Sequence, residues 1–356
     1  MRLRVIDFGH VTPPDCEAAW HGLASAMAPK NDAVLSLVSP DETYVSVGRF
    51  QVAAQAIDRE RCRAQHLQVI RRHVGGGIAF VDRNQILTHF IQPRSTVKQP
   101  VVDLYPRFIE PLARTCRALG IAAEFSPINE IYVSDRKIGS ADAAQIGEAL
   151  AVACNLNSEL DLAAMANCLQ APSDAFRDRL RQMMENSLTS VLHELHMMPQ
   201  REEVIRIFLK ECGDCLGAEL FEDEPTEAEQ SAIDEWKERL AEDAWTFGLD
   251  RTVAQMDAAA TGETVPADAT HVTEGGLVSV HLLERDGVIA ELVLSGEFSC
   301  IPSEGLETLC HRMVGEHLDE AALAAEAERT LQDIGVQMPG IVPADIAAAI
   351  MAAHRD

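Results

Sequence analysis

Two stretches of this chain carry residue types suited to holding an anionic ligand. In the first, Arg71-Arg72-His73-Val74-Gly75-Gly76-Gly77, two guanidinium groups precede three consecutive glycines. Backbone without side chains takes positive φ and lets a ligand lie against main-chain N–H groups, and arginine forks onto phosphate or carboxylate oxygens. Arg72, closer to the loop, is the better placed of the two. Read alone, the stretch is either such a cradle or a glycine-rich hairpin turn with solvated arginines. The second stretch, about sixty residues later, runs from Asn129-Glu130 through a tight turn at Ser134-Asp135-Arg136 to Lys137-Ile138-Gly139-Ser140-Ala141. A turn lysine by itself is an ordinary surface cation. Behind a glycine cradle it becomes a fixed positive charge.

The elements that must position these residues are legible in outline. Pro14 to Met27 has helical spacing of Ala18, Ala19, Leu23 and Met27. Ala33 to Ser39 and Tyr44 to Phe50 read as strands across the turn Pro40-Asp41-Glu42, and Asp58 to Gln65 as a surface helix leading to the strand before the glycines. Ile86 to Gln92 is a strand, Val102 to Leu119 a helix stopped by Gly120, and Ile121 to Phe125, Glu130 to Ser134 and Ala149 to Leu156 are strands. Asp161 caps a helix to Leu169, and helices follow at Asp174 to Glu185, Arg201 to Leu216 and Glu227 to Asp243. A hairpin centred on Asp286-Gly287 and three helices complete the chain, while Val253 to Thr273, rich in Ala, Thr and Asp, reads as a linker or loop. The pattern predicts an α+β protein with mixed β-sheets flanked by helices, divided into 1–244 and a smaller α/β domain, 245–356.

Composition narrows the function. With 356 residues the chain is long for one core. Thirty basic against 56 acidic side chains, a formal net charge of −26, oppose nucleic-acid binding. No apolar run reaches the roughly 20 residues of a membrane span, so neither nucleic acid nor membrane is an expected partner and a cytoplasmic location is expected. The nine cysteines form no disulfide framework. Cys212 and Cys215 have CxxC spacing without a second pair, and His193 and His196 are three apart, not the four of a zinc-protease helix.

The two stretches together, in this order, resemble the lipoate–protein ligase family, with its Arg-Arg-x-x-Gly-Gly-Gly loop and its Asn-Asp strand leading to Lys-x-x-Gly-Ser-Ala. Val45-Ser46-Val47-Gly48-Arg49-Phe50-Gln51 and Leu156 to Leu162 are similar to two further strand ends of that family. Trp245, Phe247 and Gly296-Glu297-Phe298 are similar to the accessory domain fused to its longer members. The resemblance implies a biotin/lipoate ligase catalytic fold plus accessory domain. It implies ATP and Mg²⁺, activation of lipoate or octanoate to an acyl-adenylate, and transfer to a lysine of a lipoyl carrier domain, of a 2-oxoacid dehydrogenase E2 or a glycine-cleavage H-like protein. Lys137 would neutralise the carboxylate and α-phosphate. Arg72, Gly75, Gly76, Gly77, Asn129, Gly139, Ser140 and Ala141 would line the ligand, with either Asn84 or Gln85 reaching phosphate; metal ligands are not assigned.

Four departures stand out. Asp82-Arg83-Asn84-Gln85 replaces Asp-x-Gly-Asn, Glu130 replaces the aspartate, the small residue between Ile138 and Gly139 is absent, and Ala153-Cys154-Asn155 replaces His-Gly-Thr. A related reading is an octanoyl or lipoyl transferase with a cysteine thioester on Cys154 or Cys168. A reading of another class is a non-catalytic binder of a lipoyl carrier.

Overall fold

The computed structural model describes residues 2–262 and 264–354. Strand β1 (Arg2–Val11) and helix α1 (Pro13–Ser25) lead to β2 (Ala33–Pro40) and β3 (Tyr44–Val47). Short helices α2 (Ala53–Ala56) and α3 (Arg59–Ala64) precede β4 (Gln68–Arg71), β5 (Ala79–Val81) and β6 (Leu87–Pro93). Helix α4 (Tyr105–Ala118) is followed by β7 (Ala123–Ser126), β8 (Glu130–Val133), β9 (Arg136–Ile146) and β10 (Ala149–Leu156). Next come α5 (Leu162–Cys168), α6 (Asp174–Ser187), α7 (Val191–Leu195), α8 (Arg201–Leu216), β11 (Glu219–Glu222), α9 (Glu227–Leu240) and α10 (Asp243–Ala259). The chain closes with β12 (Val265–Thr273), β13 (Gly276–Arg285), β14 (Val288–Glu297), α11 (Gly305–Met313), α12 (Glu320–Ile334) and α13 (Pro343–Ala353).

These strands make an eight-stranded sheet of order β11-β1-β2-β6-β10-β9-β8-β7 and two three-stranded sheets, β4-β3-β5 and β12-β13-β14. In the large sheet β1 is parallel to both β11 and β2, and the remaining pairs are antiparallel. This is the mixed α+β architecture that the alternation predicts. Period-2 alternation sends Ala141 and Ala143 of β9 into one core, with α4 and α8, where Phe90 meets Phe108 at 4.7 Å between ring centroids. It turns Ser140 and Asp142 to the other face, where α1 and α9 pack around Trp20, Ile91 and Trp236. Each of these large apolar side chains stabilises the fold by about 1.5–3 kcal/mol on burial. A third core, Val278, Val280, Leu282 and Leu294 against Leu309, Leu323 and Ile350, belongs to the C-terminal sheet and its helices.

Two local readings are corrected. Val253 to Thr273 is not a linker: its first part ends α10, and from Val265 it is an edge strand paired with β13 over its whole length. Its hydrogen bonds are supplied by the neighbouring strand, so weak intrinsic patterning suffices. Glu263, inside that run, lies outside the described residues. The N-terminal stretch, not recognised in the sequence as a strand because Arg4 interrupts its apolar residues, is β1. The guanidinium is buried and neutralised by Glu229 at 2.7 Å and Asp223 at 2.7 Å, partners far away along the chain. The predicted strand Tyr44 to Phe50 also ends early, at Val47. Trp245 and Phe247, at the start of the expected second domain, bury in cores shared with residues of the first. Among the described residues no helix is long and apolar enough to cross a membrane.

Candidate functional site

The two chemistry-bearing stretches face one cavity of about 750 Å³. Its floor is the large sheet, presenting Leu87 and His89 of β6, Ala153 and Asn155 of β10, and Ser140 and Asp142 of β9. Its roof is the small sheet β4-β3-β5 with the glycine loop, and α1 adds Glu17 and Trp20. One side is closed by Glu297, Phe298 and Ser299, at and just after the end of β14.

Arg72, Gly76, Gly77, Gln85, Asn129, Lys137 and Ser140 all line this cavity. Lys137 follows the turn at Ser134, where φ is +55°, and its Nζ lies 2.5 Å from Glu130 Oε1. Glu130 is held in turn by the Tyr132 hydroxyl, which donates to Oε2 at 2.8 Å. The glutamate in the family's aspartate position thus orients the lysine. Asn129 donates its amide to the Ala141 carbonyl at 2.5 Å, and Ser140 donates to Asn155 Oδ1 at 3.2 Å.

Arg72 is at the wall, but its guanidinium donates to the carbonyls of Ser46, Gly75 and Gly77 at 2.9, 2.6 and 2.7 Å. In this conformation it shapes the glycine loop from within. Arg71, its neighbour, is fully buried and ties the loop to the turn after β3 and to α10, donating to Gly48 O at 2.7 Å, Arg49 O at 3.0 Å and Thr246 O at 2.9 Å. Burial lowers its pKa to about 10.

The glycines are needed for a contact the sequence did not suggest. A Cβ on Gly75 would collide with the Phe298 carbonyl oxygen, and Gly76, at φ +78°, donates its N–H to that oxygen at 3.1 Å. Phe298 also stacks on Phe50 at 5.2 Å. The loop therefore cradles the chain just after β14 as well as facing the cavity.

Four candidate residues do not join the cavity, Gly75 among them, packed against the Phe298 carbonyl. Asn84 is turned outward, donating to Glu159 at 2.8 Å while its own N–H bonds to Asp82 Oδ1. Of the pair left open by the sequence, Gln85 lies at the wall, donating to the Phe80 carbonyl at 3.1 Å. Ala141 points into the opposite core, and Gly139 packs against the Asn155 carbonyl, where a side chain would not fit. Both shape β9 without lining the site.

Asp142 and Glu297 were missed. Strand alternation from Ser140 already places Asp142 on the cavity face; nothing in the sequence places Glu297 there. Asp142 is within 3.2 Å of the Ser299 hydroxyl, and Glu297 accepts from Gln51 at 3.2 Å. Burial raises the pKa of both carboxyls, opposed by Arg72 and Lys137. The two cysteines considered as nucleophiles are buried. Burial pushes the Cys154 thiol up, and its sulfur packs toward Phe108 O. Cys168 is lowered by a hydrogen bond from Cys62, lies in another core, and is not among the cavity residues.

Burial holds His73 and His89 neutral, each with its pKa lowered from 6.5 to about 3, and His21 is lowered by the same cause. Unfolding exposes these imidazoles to protonation. Their contribution to stability is therefore complete above pH 6.5 and is lost as pH falls toward 3. The thermal midpoint is expected to drop steadily over that window, with a shallower slope in a His73→Gln/His89→Gln double variant. An equal slope in that variant would show that other groups carry it; Asp142 and Glu297 act in the opposite sense, favouring the fold at low pH.

The model of the lipoyl protein ligase A/B catalytic domain matches residues 21–213. An octanoyltransferase, LipM, of Kyrpidia tusciae is 28% identical over 60% of this chain and 86% of its own. Among solved structures, the bipartite lipoate–protein ligase of Thermoplasma acidophilum, described with its E2 lipoyl domain, covers 70% of this chain and 97% of its own, at 20% identity and a TM-score of 0.64. LipL1 of P. falciparum, crystallised with lipoate, covers 98% of this chain and 99% of its own, at 10% identity and a TM-score of 0.69. These structural likenesses show a shared fold.

Proposed function

Because the chain belongs to the lipoyl protein ligase A/B catalytic-domain family, we propose that it is an ATP-dependent lipoate–protein ligase, activating lipoate or octanoate and passing the acyl group to a lysine of a lipoyl carrier domain. The observation that carries this reading is the convergence of Lys137, Asn129 and the Arg72-buttressed glycine loop on one cavity. In the first step a carboxylate oxygen of the acid attacks the α-phosphorus of ATP and pyrophosphate leaves. In the second the carrier lysine amine attacks the acyl carbonyl and AMP leaves. Both steps move negative charge along the bridging and non-bridging oxygens, where a prealigned cation and backbone donors lower the barrier most. Lys137 supplies that cation, and Glu130 holds its ammonium in place between turnovers. Mg²⁺ would neutralise the triphosphate, and the cavity-wall carboxylates of Glu130 and Asp142 would be the side chains to meet it.

The LipM relative favours a second reading, a cysteine-dependent acyl transfer without ATP. Against it stand the burial of Cys154 and its raised pKa, since the thiolate is the nucleophile. Incubation of the full chain with a lipoyl-domain acceptor separates the readings by acceptor mass. Acylation from free lipoate plus ATP is expected. Acylation only from an octanoyl-carrier protein would overturn the ligase reading, and none from either donor would leave a carrier-binding protein.

A further inference from the structure

The inner part of the cavity is more polar than a saturated acyl chain requires. Ser36, His89, Ala153 and Asp142 are successive register partners across β2, β6, β10 and β9, so their side chains form one row on the cavity face. His89 is 4% exposed and lines the cavity, yet its Nδ1 has no hydrogen-bond partner; the neighbouring Ser36 Oγ has none either. A buried polar atom left so costs the fold stability unless something meets it. Beside His89 in the row stands Ala153, whose single methyl leaves open the space over the sheet.

His89 is not isolated. Trp20 stacks on it at 5.3 Å with rings 11° from parallel, and the same indole donates to Glu17 Oε2 at 3.1 Å. Glu17 also accepts from Tyr44 at 3.0 Å and Ser46 at 2.8 Å, all within the cavity wall. The imidazole is held by stacking and lines the cavity, its Nδ1 buried and without a partner. It is neutral, since burial lowers its pKa to about 3, and offers one N–H donor and one acceptor.

Its place relative to Lys137 matters. Lys137 Nζ is held at Glu130, whose register partner is Ser140 on β9, itself opposite Asn155 on β10, so the reacting end lies level with Asn155. His89 lies two residues further along, opposite Ala153, and two strand spacings from β9, which together come to on the order of 12 Å, the reach of an extended medium-chain acid. A carboxylate held at Lys137 puts the far end of its chain beside His89.

We propose that His89, positioned by Trp20 and Glu17 over the open space at Ala153, selects acids whose distal end carries a lone-pair heteroatom over the saturated acid of the same length. This rests on reading the cavity as the site of the acid substrate. Two sources share that chemistry, the ring sulfurs of lipoate and a terminal hydroxyl. Sulfur is the weaker acceptor, but it also gains from contact with an aromatic face such as that of Trp20. A site with a buried polar group rejects a chain that leaves it unpaired.

The test compares octanoic, lipoic and 8-hydroxyoctanoic acids on the full chain, by calorimetric binding and by ATP-dependent pyrophosphate release. Both heteroatom acids are expected to bind roughly 10-fold or more tightly than octanoate. In His89→Leu the preference is expected to vanish while octanoate binds at least as well. His89→Gln, which keeps a donor and an acceptor, is expected to restore part of it. Preference for the hydroxy acid alone would remove lipoate from the class and leave the role of His89 intact. Equal binding of all three acids to the wild type, or an unchanged preference in a folded His89→Leu, overturns the proposal. If the preference appears in binding but no acid releases pyrophosphate, the inference stands and the ligase reading falls. Failure of every acid to bind overturns both.

Discussion

Lys137→Ala is expected to cut acyl-adenylate formation by roughly a thousandfold while leaving the fold intact. The lysine is the cavity cation whose one charged partner is a single glutamate, whereas Arg72 is engaged with three backbone carbonyls. Its removal deprives the developing charge at the α-phosphate of its fixed counter-charge. Stability changes little, because the pair with Glu130 is about 30% exposed on both sides and such pairs contribute no more than about 1 kcal/mol. Glu130 keeps its bond from Tyr132 in the variant. The measurements are pyrophosphate release and thermal midpoint. Near wild-type release from a folded Lys137→Ala protein would remove the central residue of the proposed mechanism.

Arg71→Met is expected to produce the opposite profile, a loss of about 3–5 kcal/mol of stability through the loss of a buried, hydrogen-bonded cation. Arg71 is 1% exposed, and its guanidinium satisfies the carbonyls of Gly48, Arg49 and Thr246 while approaching Asp250 at 3.8 Å. Methionine fills similar space but leaves those carbonyls without their donor and removes the cation beside Asp250, which keeps its bonds from the Ala53 and Ala54 N–H groups. The contacts join β4, the turn after β3 and the start of α10, so the variant loosens the base of the glycine loop and the packing of Trp245 together. Trp245 donates to the Arg71 carbonyl at 2.8 Å, which makes its fluorescence a local reporter of denaturant unfolding. A midpoint within about 1 kcal/mol of wild type would show that these hydrogen bonds are replaced by water at little cost.

The adjacent arginines illustrate how far the sequence can be read. Both were visible as cations beside the glycines, and Arg72 lines the cavity while Arg71 does not. That Arg71 would be interior and Arg72 turned onto carbonyls depended on Thr246, Asp250 and Ser46, residues distant in the chain. Asn84 and Gln85 make the same point. One residue apart in an irregular turn, they have no period to say which faces the cavity, and the Asp82 side chain decides by capping Asn84.

By itself the sequence determined the family, through the paired motifs, and most of the elements, through alternation, caps and turn chemistry. The Asp286-Gly287 hairpin has both residues at positive φ, as that turn demands, and Asp161 caps its helix as its position predicts. Only the tertiary structure decided what meets the glycine loop. Gly75 leaves room for the Phe298 carbonyl just beyond β14 and Gly76 donates its N–H to it, and the cavity includes Glu17 and His89, one from a helix and one from a neighbouring strand. Local patterns specify backbone conformation and which face is apolar. They carry no record of which distant side chains share a cavity, because that is set by how the sheets pack and in what register the strands align.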